Sequence, residues 1–556
     1  MRRFSGHRTT AVAVLGVLFL LGAGSPSAQP GRPLAPELSG LGSLHYQVTT
    51  GLPKAQQFFD QGLRLLYAFN HTESLRAFEE AARLDPRMAM AYWGQAMVLG
   101  PNLNAPLTPE NGARAYAAIR RGATLADAAS PRERDLVQAL AARYAADPKA
   151  ARAPLDRAYA DAMRTVAARY PDNPEVQTIF ADALMNTMPW DYWLKDGTAK
   201  PETQAVISTL ERVIAAHPDH PGAHHYYIHV LEASNDPDRA VPSAERLGAL
   251  MPAAGHMVHM PAHIFLRVGR YAEAAEANVR AIAADEDYLA QCQAQGLYPF
   301  TYYPHNLHFL WAAATLEGRS EAAIDAARST AAKVPHHHAG GLAWTADFPV
   351  TPLLAYVRFG KWRDILLEPS PPARDPYATG IWHYARALAQ LGEGRRDRAE
   401  AEFAKLTAIK SHEAFTTTLK DSPFPNNLEI ASRIVGAELA AQASRTEEAV
   451  RLLTEAVALE DAIPYNEPPV WHHPTRQVLG AVLLEAGRPA EAERVYRDDL
   501  VRIRENGWSL FGLMHSLERQ GRSADAAAVR SRFEQAWKRA DIVLTSSRIR
   551  PAEAGR

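Results

Sequence analysis

From Phe58 onward, apolar residues recur at every third or fourth position, and the runs are broken by Gly, Pro or Asp-Pro. That spacing is one face of an α-helix, and the breakers mark where helices end. No alternating apolar–polar stretch of the strand type persists anywhere. The pattern predicts an all-α chain in which each helix carries a single apolar stripe. A lone helical pair cannot bury such a stripe, so neighbours in sequence are expected to stack.

The punctuation is periodic. The run HTESLRAFEEAARLDP, preceded by Gly62, carries Phe78, Ala81 and Pro86: a glycine where two helices cross closely, an apolar knob, a small residue and a helix-stopping proline. The phrase returns at Gly269 with Ala274 and Ala281, and at Gly318 with Ala323 and Pro335. It appears again at Gly487 with Ala492 and at Gly521 with Ala524. Weaker copies surround Ala240 to Pro252, Ala399 and Ala449. The period is near ~34 residues, with insertions around 101–110, 188–200, 285–302 and 333–348.

These residues resemble the tetratricopeptide repeat family. The resemblance implies a tetratricopeptide-like α-solenoid of about ten helical hairpins over residues 55–545. It divides into N-terminal repeats (55–200), His-rich repeats (201–335) and C-terminal repeats (349–545). A leader (29–54) precedes the array, and a tail (546–556) is expected to fray after Thr545. The resemblance also implies that the first helix of each pair lines a concave groove. That groove would receive a peptide, a protein or a small polar ligand.

Composition adds two constraints. Charge is nearly balanced, with a formal net charge of −2, so neither nucleic acid nor an anionic membrane is expected as partner. Cys292 is the only cysteine, which rules out an intramolecular disulfide and leaves stability to packing.

The N-terminus has the build of a signal peptide. Arg2, Arg3 and Arg8 precede the uncharged run Ala11 to Leu21, and small residues follow through Ser25, Ser27 and Ala28. Cleavage after residue 28 would give an extracytoplasmic protein, periplasmic or secreted, with no membrane span remaining.

Histidine is where the chain departs from a plain scaffold. It occurs 21 times, and ten of these lie between His217 and His308. In GAHHYYIHVLEAS, His225, His229 and Glu232 are spaced i, i+4, i+7 and share one helical face. In GHMVHMPAHIFLRVG the same holds for His256, His259, His263 and Arg267. In PHNLHFLWAAA, His305 and His308 are i, i+3. Aligned on Ala240, Ala274 and Ala323, the three hairpins place these histidines on the first-helix positions that the resemblance assigns to the groove wall.

Imidazoles with a carboxylate suit a divalent transition ion such as Zn, Cu, Fe or Ni. His225, His229, His259 and His263 lead the ligand set, because they come from facing helices. His256, His305 and His308 follow. Glu232 is a further ligand or a catalytic base, and Arg267, Tyr302 and Tyr303 line the groove beside them. Two other readings stand: a non-catalytic scaffold holding a peptide or anion in the same groove, and histidines that are purely structural.

Aromatic insertions flank this wall. Tyr298 to Tyr303 belong to a possible lid or packing loop. Trp190 to Trp193 form a platform or a buried junction. Glu467, Trp471, His472, His473 and Arg476 lie about five hairpins further on, where only a curling superhelix could bring them back. His336 to His338 read as an exposed loop. Phosphate-loop, nucleophile-elbow and cysteine–metal motifs are absent from the sequence.

Overall fold

The computed structural model describes residues 33–549, apart from 293–297, 335–344, 346, 418 and 472. The expected signal peptide, His336 to His338, His472 and most of the 546–556 tail therefore lie outside the described residues. Helices succeed one another from Pro53–Tyr67 to Ser523–Ala536. The only β-pairing among the described residues is two isolated bridges, Asn102 with Ala105 and Trp193 with Ala199. Twelve helical pairs follow in line among the described residues, two more than the about ten hairpins expected. None of these helices is long and apolar enough to cross a membrane.

The repeat glycines do two different jobs. At Gly62 a side chain would sit 2.8 Å from the Phe78 ring, so the glycine lets that knob enter the crossing of two helices. Gly269, Gly318, Gly487 and Gly521 instead end first helices with φ of 71° to 81°. There the next residue's N–H turns back to a carbonyl five residues earlier, as Arg319 does to Ala314 at 3.0 Å.

The first pair makes the same turn, with Asn70 N–H on the Leu65 carbonyl at 3.0 Å. Its left-handed residue, however, is Phe69, at φ 56°. A bulky side chain is disfavoured in that conformation, and the packing of its ring shows why it is kept.

The two large clusters of the apolar core meet on the helix Tyr302–Leu316, which gives Phe309 and Ala313 to one and Trp311 and Ala314 to the other. The array also folds back on itself. The Trp508 indole N–H donates to the Thr315 carbonyl at 2.9 Å. The Asp541 carboxylate accepts the N–H groups of Ser320 (2.7 Å) and Glu321 (3.0 Å), capping the helix Ser320–Lys333.

Both ends are tied down. In the leader, Leu34 N–H donates to Glu80 and Leu38 N–H to Gln61, while Gly40 pairs with Ala253. Fraying after Thr545 does not hold as far as residue 549: Ser547 and Arg548 are buried, and Arg548 pairs with Glu438 and Glu485.

Candidate metal centre

Three first helices build the centre: Pro221–Leu231, the Pro261-interrupted pair Gly255–His259 and Pro261–Arg267, and Tyr302–Leu316. Their histidines were expected to line an open groove. They are buried instead, His225 and His259 fully so, except for half-buried His305. Loops from across the superhelix fill the concave side. Phe69 stacks on His229 and His256 with ring centroids 5.8 and 5.2 Å apart, and lies 4.6 Å from His225. Trp190 meets His229 edge-on, as Tyr302 meets His256, and Asn104 donates to the Tyr302 hydroxyl. Tyr465 and Glu467 close the remaining side. A hydroxyl contact of 3.3 Å joins Tyr465 to Glu232, and Glu467 lies 3.7 Å from His263.

Each of four imidazoles has an acceptor at Nδ1. His225 donates to the Tyr67 carbonyl at 2.6 Å and His229 to Glu232 Oε1 at 2.7 Å. His259 donates to Asn278 Oδ1 at 2.7 Å and His263 to Glu232 Oε2. The Asn278 amide is oriented because its NH₂ donates to the Ala274 carbonyl. An acceptor at Nδ1 fixes the proton there and leaves Nε2 with a lone pair.

Those outer nitrogens then face one another. His259 and His263 Nε2 are 2.9 Å apart, and His225 and His256 Nε2 are 3.1 Å apart. His229 Nε2 and His256 Nδ1 are buried without a partner among the described residues. Two triads result, His225–His229–His256 and His259–His263–His305, each with one nitrogen per residue within 4.8 Å of the others.

Electrostatics follow the same division. Burial, reinforced by neighbouring imidazoles, holds His225, His256, His259 and His305 well below the ordinary histidine range, so they are neutral. Burial would push Glu232 up, but His263 and His229 hold it well below the carboxylate range. Burial also opposes the charge on His263, yet Glu232 raises it to about 9. Glu232 and His263 thus form a buried ion pair, with Glu232 bridging the two triads.

Several expected site residues take other roles. Both Glu232 oxygens accept imidazole N–H groups, which orients His229 and His263, and Glu232 also forms a third metal-capable group with His263 and Glu467. His308 stacks on Trp311 and Phe348 and belongs to neither triad, because its face of the helix turns to the next hairpin. Arg267 donates to the carbonyls of Glu232 and Ser234 and lies over the Tyr465 ring. It closes a helix end instead of reaching into a groove. Tyr303 donates to Glu286 under Lys333, away from the histidines, whereas Tyr302 is part of the wall.

Phe69, Tyr465 and Asn278 were not singled out by spacing. Only the positive φ of Phe69 and the unusual polarity of the 463–473 segment set them apart.

No protein-family model and no curated protein matches the sequence. Among solved structures, the chain is similar to the human IFIT1 dimer with m7Gppp-AAAA. That match has 12% identity and a TM-score of 0.30, covering 88% of this chain and 91% of that one. It is also similar to the human IFIT1 dimer with PPP-AAAA, at 13% identity and a TM-score of 0.32, covering 87% and 91%. What IFIT1 binds is a property of IFIT1, and nothing about a ligand passes to this chain at that level of likeness. The exclusion of nucleic acid drawn from net charge is nevertheless withdrawn, since the matching structures hold RNA. The chain is a helical-repeat solenoid.

Proposed function

We propose that this protein is an exported, tetratricopeptide-like array whose buried histidine centre binds divalent transition metal. The observation that carries the reading is the pairing of imidazole lone pairs. At His259–His263, two Nε2 atoms approach to 2.9 Å while both Nδ1 atoms already donate elsewhere. Neutral rings in that arrangement repel. Either a proton on His263 or a cation must lie between them, and a metal resolves both triads at once.

The hydrogen bonds behind the imidazoles support this. Nδ1–H groups on carboxylate, amide and backbone oxygens are the usual means of aiming imidazole at a metal. An all-nitrogen donor set favours Zn, Cu, Ni or Fe over Ca or Mg. The aromatic shell would keep water away, and Glu232 would hold the two triads in register. Export rests on the N-terminal segment, and the tetratricopeptide reading rests on the repeat phrase.

Tag-free protein, purified without nickel resin, incubated with Zn²⁺ and dialysed, should retain at least one ion per chain by elemental analysis. His229→Ala and His259→Ala should each lose most of it. Substoichiometric metal in the wild type, or equal metal in the variants, would leave a scaffold with structural histidines. Sequencing the native N-terminus should show a start near residue 29, and an intact Met1 would count against export.

A further inference from the structure

A second group of unsatisfied side chains lies in the C-terminal repeats, far along the chain from the histidine centre. Arg358 ends the helix Thr351–Arg358 and is 2% exposed. Its Nη2 donates to Gln477, and its guanidinium carbon lies 3.5 Å from the Trp508 ring centroid. Its Nε and Nη1 have no partner among the described residues.

Four further groups in the same repeats have unmet hydrogen bonds among the described residues. They are the Tyr384 hydroxyl, the Trp471 indole N–H, the Thr475 hydroxyl and both nitrogens of His473. Tyr384, Trp471 and Thr475 are at most 3% exposed. The Tyr384 and Trp471 rings are 5.6 Å apart, and both Tyr384 and His473 feel the Arg358 charge.

Arginine and tryptophan only donate, so the missing partner must accept. It must also carry charge. Asp499 acts on Arg358 without a direct ion pair, and its Oδ2 already accepts from Gln477, Asn506 and Ser509. Glu438 is held by Arg548. A buried guanidinium without a counter-ion costs several kcal/mol, and water would satisfy its N–H groups without neutralising it. Burial already pushes Arg358 down to about 9, so it remains charged at neutral pH.

We infer that Arg358, Tyr384, Trp471, His473 and Thr475 form a binding site for a small oxyanion, a carboxylate or phosphoryl group, independent of the histidine centre.

The test is calorimetric titration and thermal unfolding of the full chain in chloride, with inorganic phosphate or acetate added at constant ionic strength. At least one of the two should bind saturably and raise the unfolding midpoint, and which one does so names the group recognised. Arg358→Met, and Trp471→Phe combined with Tyr384→Phe, should weaken binding at least about ten-fold, as expected for lost charge-assisted hydrogen bonds. The Phe pair keeps both rings and decides the matter if the Met variant does not fold. His259→Ala should bind the anion like wild type. Indifference of the wild type to both anions would overturn the site. So would wild-type binding by the Phe pair, or loss of binding in His259→Ala.

Discussion

Two buried polar regions of this solenoid, one around Asp499 and one around Glu232, are built from similar parts and end differently. Asp499 accepts from Gln477 (3.1 Å), Asn506 (3.2 Å) and Ser509 (2.6 Å). Asn506 Oδ1 in turn accepts from Gln477 at 3.0 Å and from the Ser509 N–H at 2.8 Å. Donors meet acceptors throughout, and the network is complete as it stands. Glu232 also takes up N–H groups, but beyond it the charged His263 has only the neutral His259 Nε2 to face, and His229 Nε2 meets nothing among the described residues. A finished network holds helices together. An unfinished one at equal burial carries a cost that only a ligand removes.

The comparison can be broken by removing the centre of the finished network. Asp499→Ala strands three buried donors and should lower stability by about 3 kcal/mol or more, while bound metal per chain stays unchanged. Denaturant unfolding with elemental analysis checks both, and metal lost in step with stability would erase the distinction.

Glu232→Gln tests the other side. The amide can accept from one imidazole but not both, so metal affinity should fall about 10–100-fold in competition titrations with a chromophoric chelator, with the variant still folded. Unchanged affinity would mean that Glu232 plays no part in aiming the histidines.

Burial without a cationic partner gives a third contrast. Asp285 is fully buried, accepts from Tyr298 and Asn306, and is pushed up to about 7 by burial. Its folded value lies above the unfolded one, so its stabilising effect is full at acid pH and is lost as pH rises through 7. Between pH 6 and 8 the chain should lose about 1 kcal/mol from this group. Asp285→Asn should flatten that slope in pH-dependent unfolding, and an unaltered slope would place it elsewhere.

The smallest effect separates two left-handed residues. Exposed Ser444 (φ 58°) and Phe69 (φ 56°) occupy equivalent hairpin turns. Ser444→Gly should stabilise by about 0.5–1 kcal/mol by relieving strain. Phe69→Gly should destabilise, because the same relief comes with loss of the ring that packs on three histidines. Stabilisation by both, measured by thermal unfolding, would make Phe69 an ordinary turn residue.

Much of the architecture was legible because helical repeats are local. Gly62 with Phe78, and the turn glycines at 269, 318, 487 and 521, state their role within a few residues of themselves. The registers of His225, His259 and His305 were readable for the same reason, since helical spacing fixes a face. Open access to that face was not readable. The groove is covered by Phe69, Trp190 and Tyr465, which come from three separate connections, and by Tyr302 at the start of its helix.

The sequence by itself determined an all-helical repeat array and the common direction of its central histidines, because both follow from spacing within single helices. Only the tertiary structure decided that Glu232 bridges two triads, that His308 and Tyr303 turn away, and that Glu467 returns beside His263 from 204 positions along the chain. Those outcomes depend on the curl of the superhelix. Small rotations between successive pairs add up to that curl, and no local pattern of residues records the sum.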